Sequence, residues 1–211
     1  MNRPPILYSF RRCPYAMRAR LAIASAGITC ELREIVLRDK APEFLATSPK
    51  ATVPVLVDRT HIIEESLDIM LWALKQHDPE GWLDVPGFGF DLISECDGPF
   101  KTALDRYKYA SRQDGVDIGA ERHKAGLFLH KLNDMLAGRA YLFGETPKLS
   151  DMGMITFVRQ FAHVDLDWFS DQPWPNLIRW LDAFKTSERF ALIMQKYPKW
   201  QAGDRPVLFP A

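Results

Sequence analysis

Apolar positions along the chain fall into two regimes. Up to residue 77, short apolar runs alternate with helical stripes. Ile6-Leu7-Tyr8, behind Pro4 and Pro5, reads as a strand. Pro14–Ala26 reads as a helix: Pro14 suits the first helical position, Met17, Leu21 and Ala24 share a face, and Gly27 supplies a stop. Leu32–Leu37 reads as a second strand and Pro42–Ala46 as a short helical turn. Val55-Leu56-Val57 and His61-Ile62-Ile63 flank Asp58-Arg59-Thr60 as a hairpin. Leu67, Met70, Leu71 and Leu74 stand at i, i+3, i+4 and i+7, which predicts a helix over Ser66–His77.

The second regime begins after Asp78–Phe90, a stretch with two prolines and three glycines that reads as a linker. Beyond it, strand signals stop. Asp91–Arg112 predicts a long helix kinked at Pro99. Three further stripes predict helices: Phe128, Leu132, Met135 and Leu136; Met154, Phe157, Val158 and Phe161; and Leu177, Leu181 and Phe184. Ser187–Lys196 reads as a last short helix. The expected division is an α/β domain over 1–77, a linker over 78–90 and an all-α domain over 91–211.

Composition narrows the function. The 211 residues are 47% hydrophobic, enough to build a core. Lys and Arg number 27, as do Asp and Glu, so there is no basic excess to suit a nucleic-acid backbone. The longest uncharged run is Leu21–Cys30, about half the ~20 residues a membrane span needs. The first residues lead into no signal-peptide pattern. Cys13, Cys30 and Cys96 are odd in number and widely spaced, which matches neither a disulfide framework nor a zinc site. A reducing cytoplasm is the expected setting. The five histidines form no metal signature, Gly87-Phe88-Gly89-Phe90 lacks a phosphate-loop context, and G-x-S-x-G is absent. Residues 1–77 carry 11 basic and 8 acidic side chains, so an anionic small molecule suits that half better.

Three places could carry chemistry. Cys13 lies between the first strand and first helix, where free amides and the helix dipole favour a thiolate; Arg11, Arg12 and Arg18 add positive charge. A cysteine in a turn is also often structural, buried and inert; the strand–Cys–Pro–helix context favours reactivity. The Val53-Pro54 step enters a strand, where a cis bond would offer the Val53 backbone to a ligand, although an edge-strand proline looks the same. Glu65-Ser66 opens a helix able to hold a carboxylate, with Glu65 free to take an ammonium; the alternative reading is that Ser66 simply caps that helix.

Together, Cys13-Pro14-Tyr15-Ala16, Val53-Pro54, Glu65-Ser66 and Leu149-Ser150-Asp151-Met152-Gly153-Met154 resemble the glutathione transferase superfamily, in particular its cysteine-type, omega-like and bacterial members. The resemblance covers nearly the whole chain. It implies a thioredoxin-like N-terminal domain followed by an all-α domain. It also implies Cys13 as the catalytic residue and glutathione as co-substrate, with no metal. Val53, beside a cis Pro54, would pair through its backbone with the cysteinyl part. Glu65 and Ser66 would hold the γ-glutamyl end, Lys40 the glycyl carboxylate, and Tyr15 would make a backbone contact.

Two positions depart from the pattern. Ala16 stands where dithiol relatives carry a second cysteine, which excludes a dithiol cycle at this site. Lys148 stands where the core-helix capping box usually has Ser or Thr, leaving only the Asp151 half. The expected activity is glutathione-dependent thiol transfer or reduction on a glutathionylated thiol or small electrophile, with weak conjugation, by a homodimer that binds neither nucleic acid nor membrane. The rivals are a non-catalytic regulatory or binding relative, a membrane-inserting relative of the intracellular chloride channel type, disfavoured by Arg18 and Arg20 in the first helix, and a glutathionyl-hydroquinone reductase. Phe100, Tyr107, Trp168 and Phe169 are candidates for a second-substrate pocket, although core packing is the simpler reading.

Overall fold

The computed structural model describes residues 3–112 and 115–210. The chain divides into two compact units. One holds the residues up to Glu80 together with those from Glu188 onward; the other is Gly81–Ser187. The expected assignment of all of 91–211 to a helical domain is therefore corrected: the last two dozen residues return to the α/β unit.

That unit is built on a five-stranded sheet in the order β4-β3-β1-β2-β5. Strand β1 (Ile6–Ser9) runs parallel to β2 (Cys30–Glu34), with Ile6 opposite Glu31 and Ser9 opposite Glu34. β3 (Val55–Asp58) is antiparallel to β1, and β4 (His61–Ile63) closes the predicted hairpin. β5 (Leu208–Phe209) adds antiparallel to β2, with Phe209 opposite Cys30. The second strand thus lies earlier than the expected Leu32–Leu37, because its partners are Ile6–Ser9 on one side and the returning chain on the other.

Helix α1 (Pro14–Ser25) has Pro14 in its first turn and ends at Gly27, whose φ of +65° continues the chain where a side chain would be strained. It packs against α3 (Ser66–Gln76). Short α2 (Pro42–Thr47) brings Phe44 to Tyr8, with ring centroids 5.1 Å apart, in a cluster with Ile35, Val53, Val55 and Trp200. Alternation along β1 sends Leu7, fully buried, to the opposite face. The final helix of the chain (Glu188–Ile193) packs on α1.

The second unit is helical. α4 (Gly87–Glu95) begins inside the stretch read as a linker and runs into a π-helical turn, Cys96–Phe100, then α5 (Lys101–Lys108). The expected kink is this wide turn: Pro99 has no N–H to donate, and the extra residue absorbs the missing bond. A short 3-10 turn, Ala110–Arg112, follows, so the single helix read over Asp91–Arg112 is divided into four segments. α6 (Ile118–Met135), α7 (Leu149–Ala162), a short α8 (Leu166–Ser170) that no periodicity announced, and α9 (Pro175–Lys185) complete it. α7 is the core helix, with Met154, Phe157, Val158 and Phe161 all buried. Asp151 accepts hydrogen bonds from Lys148 N (3.0 Å) and Leu142 N (2.9 Å). The Lys148 ammonium donates instead to Gly81 O at 2.9 Å. Among the described residues no helix is long and apolar enough to cross a membrane.

Candidate active site

The seven residues singled out from the sequence line one pocket of about 500 Å³ in the α/β unit: Cys13, Tyr15, Lys40, Val53, Pro54, Glu65 and Ser66. They come from four separated stretches, which the sheet order places together. β1 delivers the chain to Cys13, the loop after β2 carries Lys40, the loop before β3 carries Val53 and Pro54, and the start of α3 carries Glu65 and Ser66.

Cys13 is the N-cap of α1. Its backbone is extended, its carbonyl accepts the first helical bond from Met17 N (2.8 Å), and its own N–H closes a turn onto Phe10 O (3.0 Å). Half-buried, its thiol donates to Val53 O at 3.6 Å. The thiol therefore sits where the free amides of the helix start and its dipole stabilise negative charge. The Val53-Pro54 bond is cis.

Ser66 is not the cap of its helix. Glu65 holds the N-cap position, and the Ser66 hydroxyl accepts a hydrogen bond from Arg18 Nε at 3.0 Å. The Glu65 carboxylate, largely exposed, pairs with Lys50, whose ammonium it pushes up in pKa. Glu64 also lines the pocket and accepts a hydrogen bond from Ser48 Oγ.

Leu37, Lys50, Ala51, Thr52 and Glu64 join the lining without having been given a role from the sequence. For Lys50 the available signal was its place three residues before Val53. Arg18 and Arg20, cited from the sequence only for their charge, are buried at 2% and 1% exposure. The pocket thus has ammonium groups at Lys40 and Lys50, carboxylates at Glu64 and Glu65, a peptide edge at Val53 and a thiol.

The other cysteines stand apart. Cys30 is buried at the far end of β2, roughly 13 Å along the strand from Glu34 at ~3.3 Å per residue. Burial pushes its thiol up to about 12, so it stays protonated at neutral pH. Cys96 is buried in the helical unit. Of the aromatic candidates, Phe100, Tyr107 and Phe169 are buried around Phe161, and Trp168 reaches the same ring at 6.1 Å. They form the core of the helical unit. Among the described residues, no group of three or more His, Cys, Asp or Glu could hold a metal ion.

Comparison with known proteins agrees with the fold. Residues 7–81 match the family model for the glutathione S-transferase N-terminal domain, and residues 128–183 the model for the C-terminal domain. Glutathione S-transferase 4 of Zea mays is 29% identical over 174 residues, covering 72% of this chain and 75% of that one. Among solved structures, a glutathione transferase family member from Pseudomonas fluorescens with two glutathione bound superposes with a TM-score of 0.79 at 16% identity, over 92% of this chain and 93% of that one. Glutathione transferase Omega 3C from Trametes versicolor gives 0.77 at 18% identity, over 94% and 91%.

Proposed function

The chain belongs to the glutathione transferase superfamily, and within it we propose a cysteine-type enzyme that uses Cys13 for glutathione-dependent thiol transfer. The observation that carries this is the Cys13 thiol at the start of α1, on the same pocket as Glu65, Ser66 and the Val53 peptide. Glutathione is a zwitterion with two carboxylates, one ammonium and a thiol, and the lining offers a complement to each. Glu65 takes the ammonium. Ser66 and the α3 amides take the γ-glutamyl carboxylate. Lys40 takes the glycyl carboxylate, and Val53 pairs with the cysteinyl peptide, which brings the glutathione sulfur to Cys13. Structural neighbours that hold glutathione support the same reading.

In the reaction the Cys13 thiolate attacks the glutathione sulfur of a glutathionylated thiol. The old S–S bond breaks, a Cys13–glutathione disulfide forms, and the released thiolate takes up a proton. A second glutathione, as thiolate, attacks the glutathione sulfur of that mixed disulfide. Glutathione disulfide leaves and the Cys13 thiolate returns. The resolving thiol must come from solution, because position 16 is alanine and Cys30 is protonated and distant.

Cys13→Ser tests this. Serine forms no disulfide, yet its hydroxyl can hydrogen-bond a glutathione thiolate. Mixed-disulfide reduction should disappear, while conjugation of an aromatic halide persists or rises. Cys13→Ala should lose the first activity and gain little of the second. Disulfide reduction that survives in Cys13→Ser would overturn the assignment.

A further inference from the structure

Behind the thiol lie two buried, oppositely charged side chains that the reaction above does not use. Glu34, the last residue of β2, is 8% exposed, and Arg20, in α1, is 1% exposed. Both act on the backbone of one residue, Arg11, two positions before Cys13. The Arg11 N–H donates to Glu34 Oε1 at 2.7 Å. The Arg11 carbonyl accepts from Arg20 Nη2 at 2.7 Å. Arg20 Nη1 also donates to Ser9 Oγ, so one guanidinium bridges the end of β1 and the turn that follows. With Cys13 N bonded to Phe10 O, the segment from Ser9 to Cys13 is held along its length.

The pair is in turn held by the returning C-terminal segment. Arg20 Nε donates to Ile193 O at 3.2 Å, and Trp200 N donates to Glu34 O at 2.9 Å. Tyr197 lies close enough to feel both charges.

Such a pair is expensive to keep. The second carboxylate oxygen of Glu34, Oε2, is buried without a hydrogen-bond partner. Burial pushes the Glu34 carboxyl up, against the pull of the Arg11 N–H and Arg20. It draws the Arg20 guanidinium down to about 10, while Glu34 and Cys13 raise it again. What the two side chains supply is an acceptor and a forked donor fixed on the two sides of the peptide that aims the thiol.

We propose that Glu34 and Arg20 are positioning residues for Cys13, clamping the Arg11 peptide from both sides so that the thiol stays at the start of α1. The role rests on Cys13 being the reacting thiol, but its first test does not.

The test is the rate of Cys13 alkylation by iodoacetamide at pH 7 without glutathione, with the modified cysteine identified by mass spectrometry. Glu34→Gln keeps an acceptor for the Arg11 N–H and removes the charge; Glu34→Ala removes both. The Gln variant should react at the wild-type rate or faster, since a negative charge near the thiolate has gone. The Ala variant should react at least ten-fold more slowly than Gln. Equal rates in the two variants overturn the clamp. Should Glu34→Ala not fold, Arg20→Lys takes its place: it keeps the charge and loses the fork, so the same slowing is expected, and a wild-type rate overturns the proposal. In disulfide reduction the slow variant should lose kcat by the alkylation factor with KM for glutathione within two-fold, because the binding residues lie elsewhere. A rise in KM with kcat unchanged overturns it. If alkylation follows the clamp while Cys13→Ser retains disulfide reduction, the thiol is positioned as proposed and the catalytic assignment is what fails.

Discussion

Replacing Asp151 by alanine tests how the core helix begins. Its carboxylate is fully buried and receives two N–H groups, one from the loop at Leu142 and one from the N-cap residue Lys148. Alanine leaves both donors without an acceptor. A lost cap costs about 1 kcal/mol, and a buried orphan donor about 1–3 kcal/mol, so a loss of roughly 2–4 kcal/mol is expected near neutral pH. The same site predicts the pH dependence. Burial raises the Asp151 carboxyl to about 6, against the two N–H bonds that pull it down. A carboxyl whose folded pKa lies above its unfolded value contributes stability that is complete below the unfolded value and lost as pH rises through the folded one. For a shift from 3.8 to about 6, that loss between pH 5 and pH 7.5 is about 1.4 kcal/mol. The wild-type lead over Asp151→Ala should therefore be wider at pH 5 than at pH 7.5 by that amount. Urea unfolding at both pH values measures the gap, and every other titrating group cancels in the difference. Hydrogen exchange at the Leu142 and Lys148 amides localises the effect, which is useful because two units need not unfold together. A gap that widens with rising pH would refute the reasoning, since the N–H bonds would then outweigh burial. No gap at either pH would show that Asp151 does not support the helix start.

Other substitutions follow from the same geometry. Lys148→Ser, which a sequence argument favours as a completed capping box, should lower the melting temperature, because the ammonium that bonds Gly81 O is lost. Glu65→Ala should weaken glutathione binding about ten-fold or more by calorimetry, at ~1.5–3 kcal/mol for a charged hydrogen bond, without moving the melting temperature of an exposed site. Ser66→Ala should weaken binding similarly and also destabilise, since buried Arg18 loses the hydroxyl that its Nε–H uses; equal melting curves for the two variants would contradict this. Ala51 lines the pocket at φ 56°, a conformation that costs a side-chain-bearing residue about 1–2 kcal/mol, so Ala51→Gly should raise or preserve stability in thermal unfolding. Gly89→Ala should cost about 1–3 kcal/mol, because its methyl would overlap Val85 Cγ2 and stand 2.8 Å from Ser150 Oγ, forcing α4 away from α7.

What the sequence revealed depended on whether the cause was local. Pro14 and Gly27 announce α1 because they act on their own backbone, and the apolar spacing of Leu67, Met70, Leu71 and Leu74 announces α3 for the same reason. Cys13, Val53, Glu65 and Ser66 stood out because each adjoins a helix or strand boundary that could be read, and Lys40 and Tyr15 only through resemblance. β5 was hidden because two residues carry no alternation, and its ladder exists only where the chain returns to β2. The first turn of α4 was hidden because Gly87 and Gly89 read as breakers, while in the fold Gly89 is what lets α4 approach Ser150. The burial of the α1 arginines was not legible, because charge is usually solvated. Their partners stand 48 positions away at Ser66 and 173 away at Ile193, and no local rule links them.

The burial of those arginines explains how one helix serves both ends of the pocket. α1 has buried residues around its circumference, from Pro14 through Ile23, so it has little amphipathic signature. Its N-cap is the thiol. One turn further on, Arg18 reaches Ser66, on the side where the γ-glutamyl group is proposed to bind. Two residues later and about 200° around the axis, Arg20 reaches Ser9 and Arg11, behind the thiol. These polar ties add to the packing of α1 on α3. Buried, the two arginines make α1 a strut that fixes the separation between the Cys13 thiol and Ser66, the two ends of the proposed glutathione site.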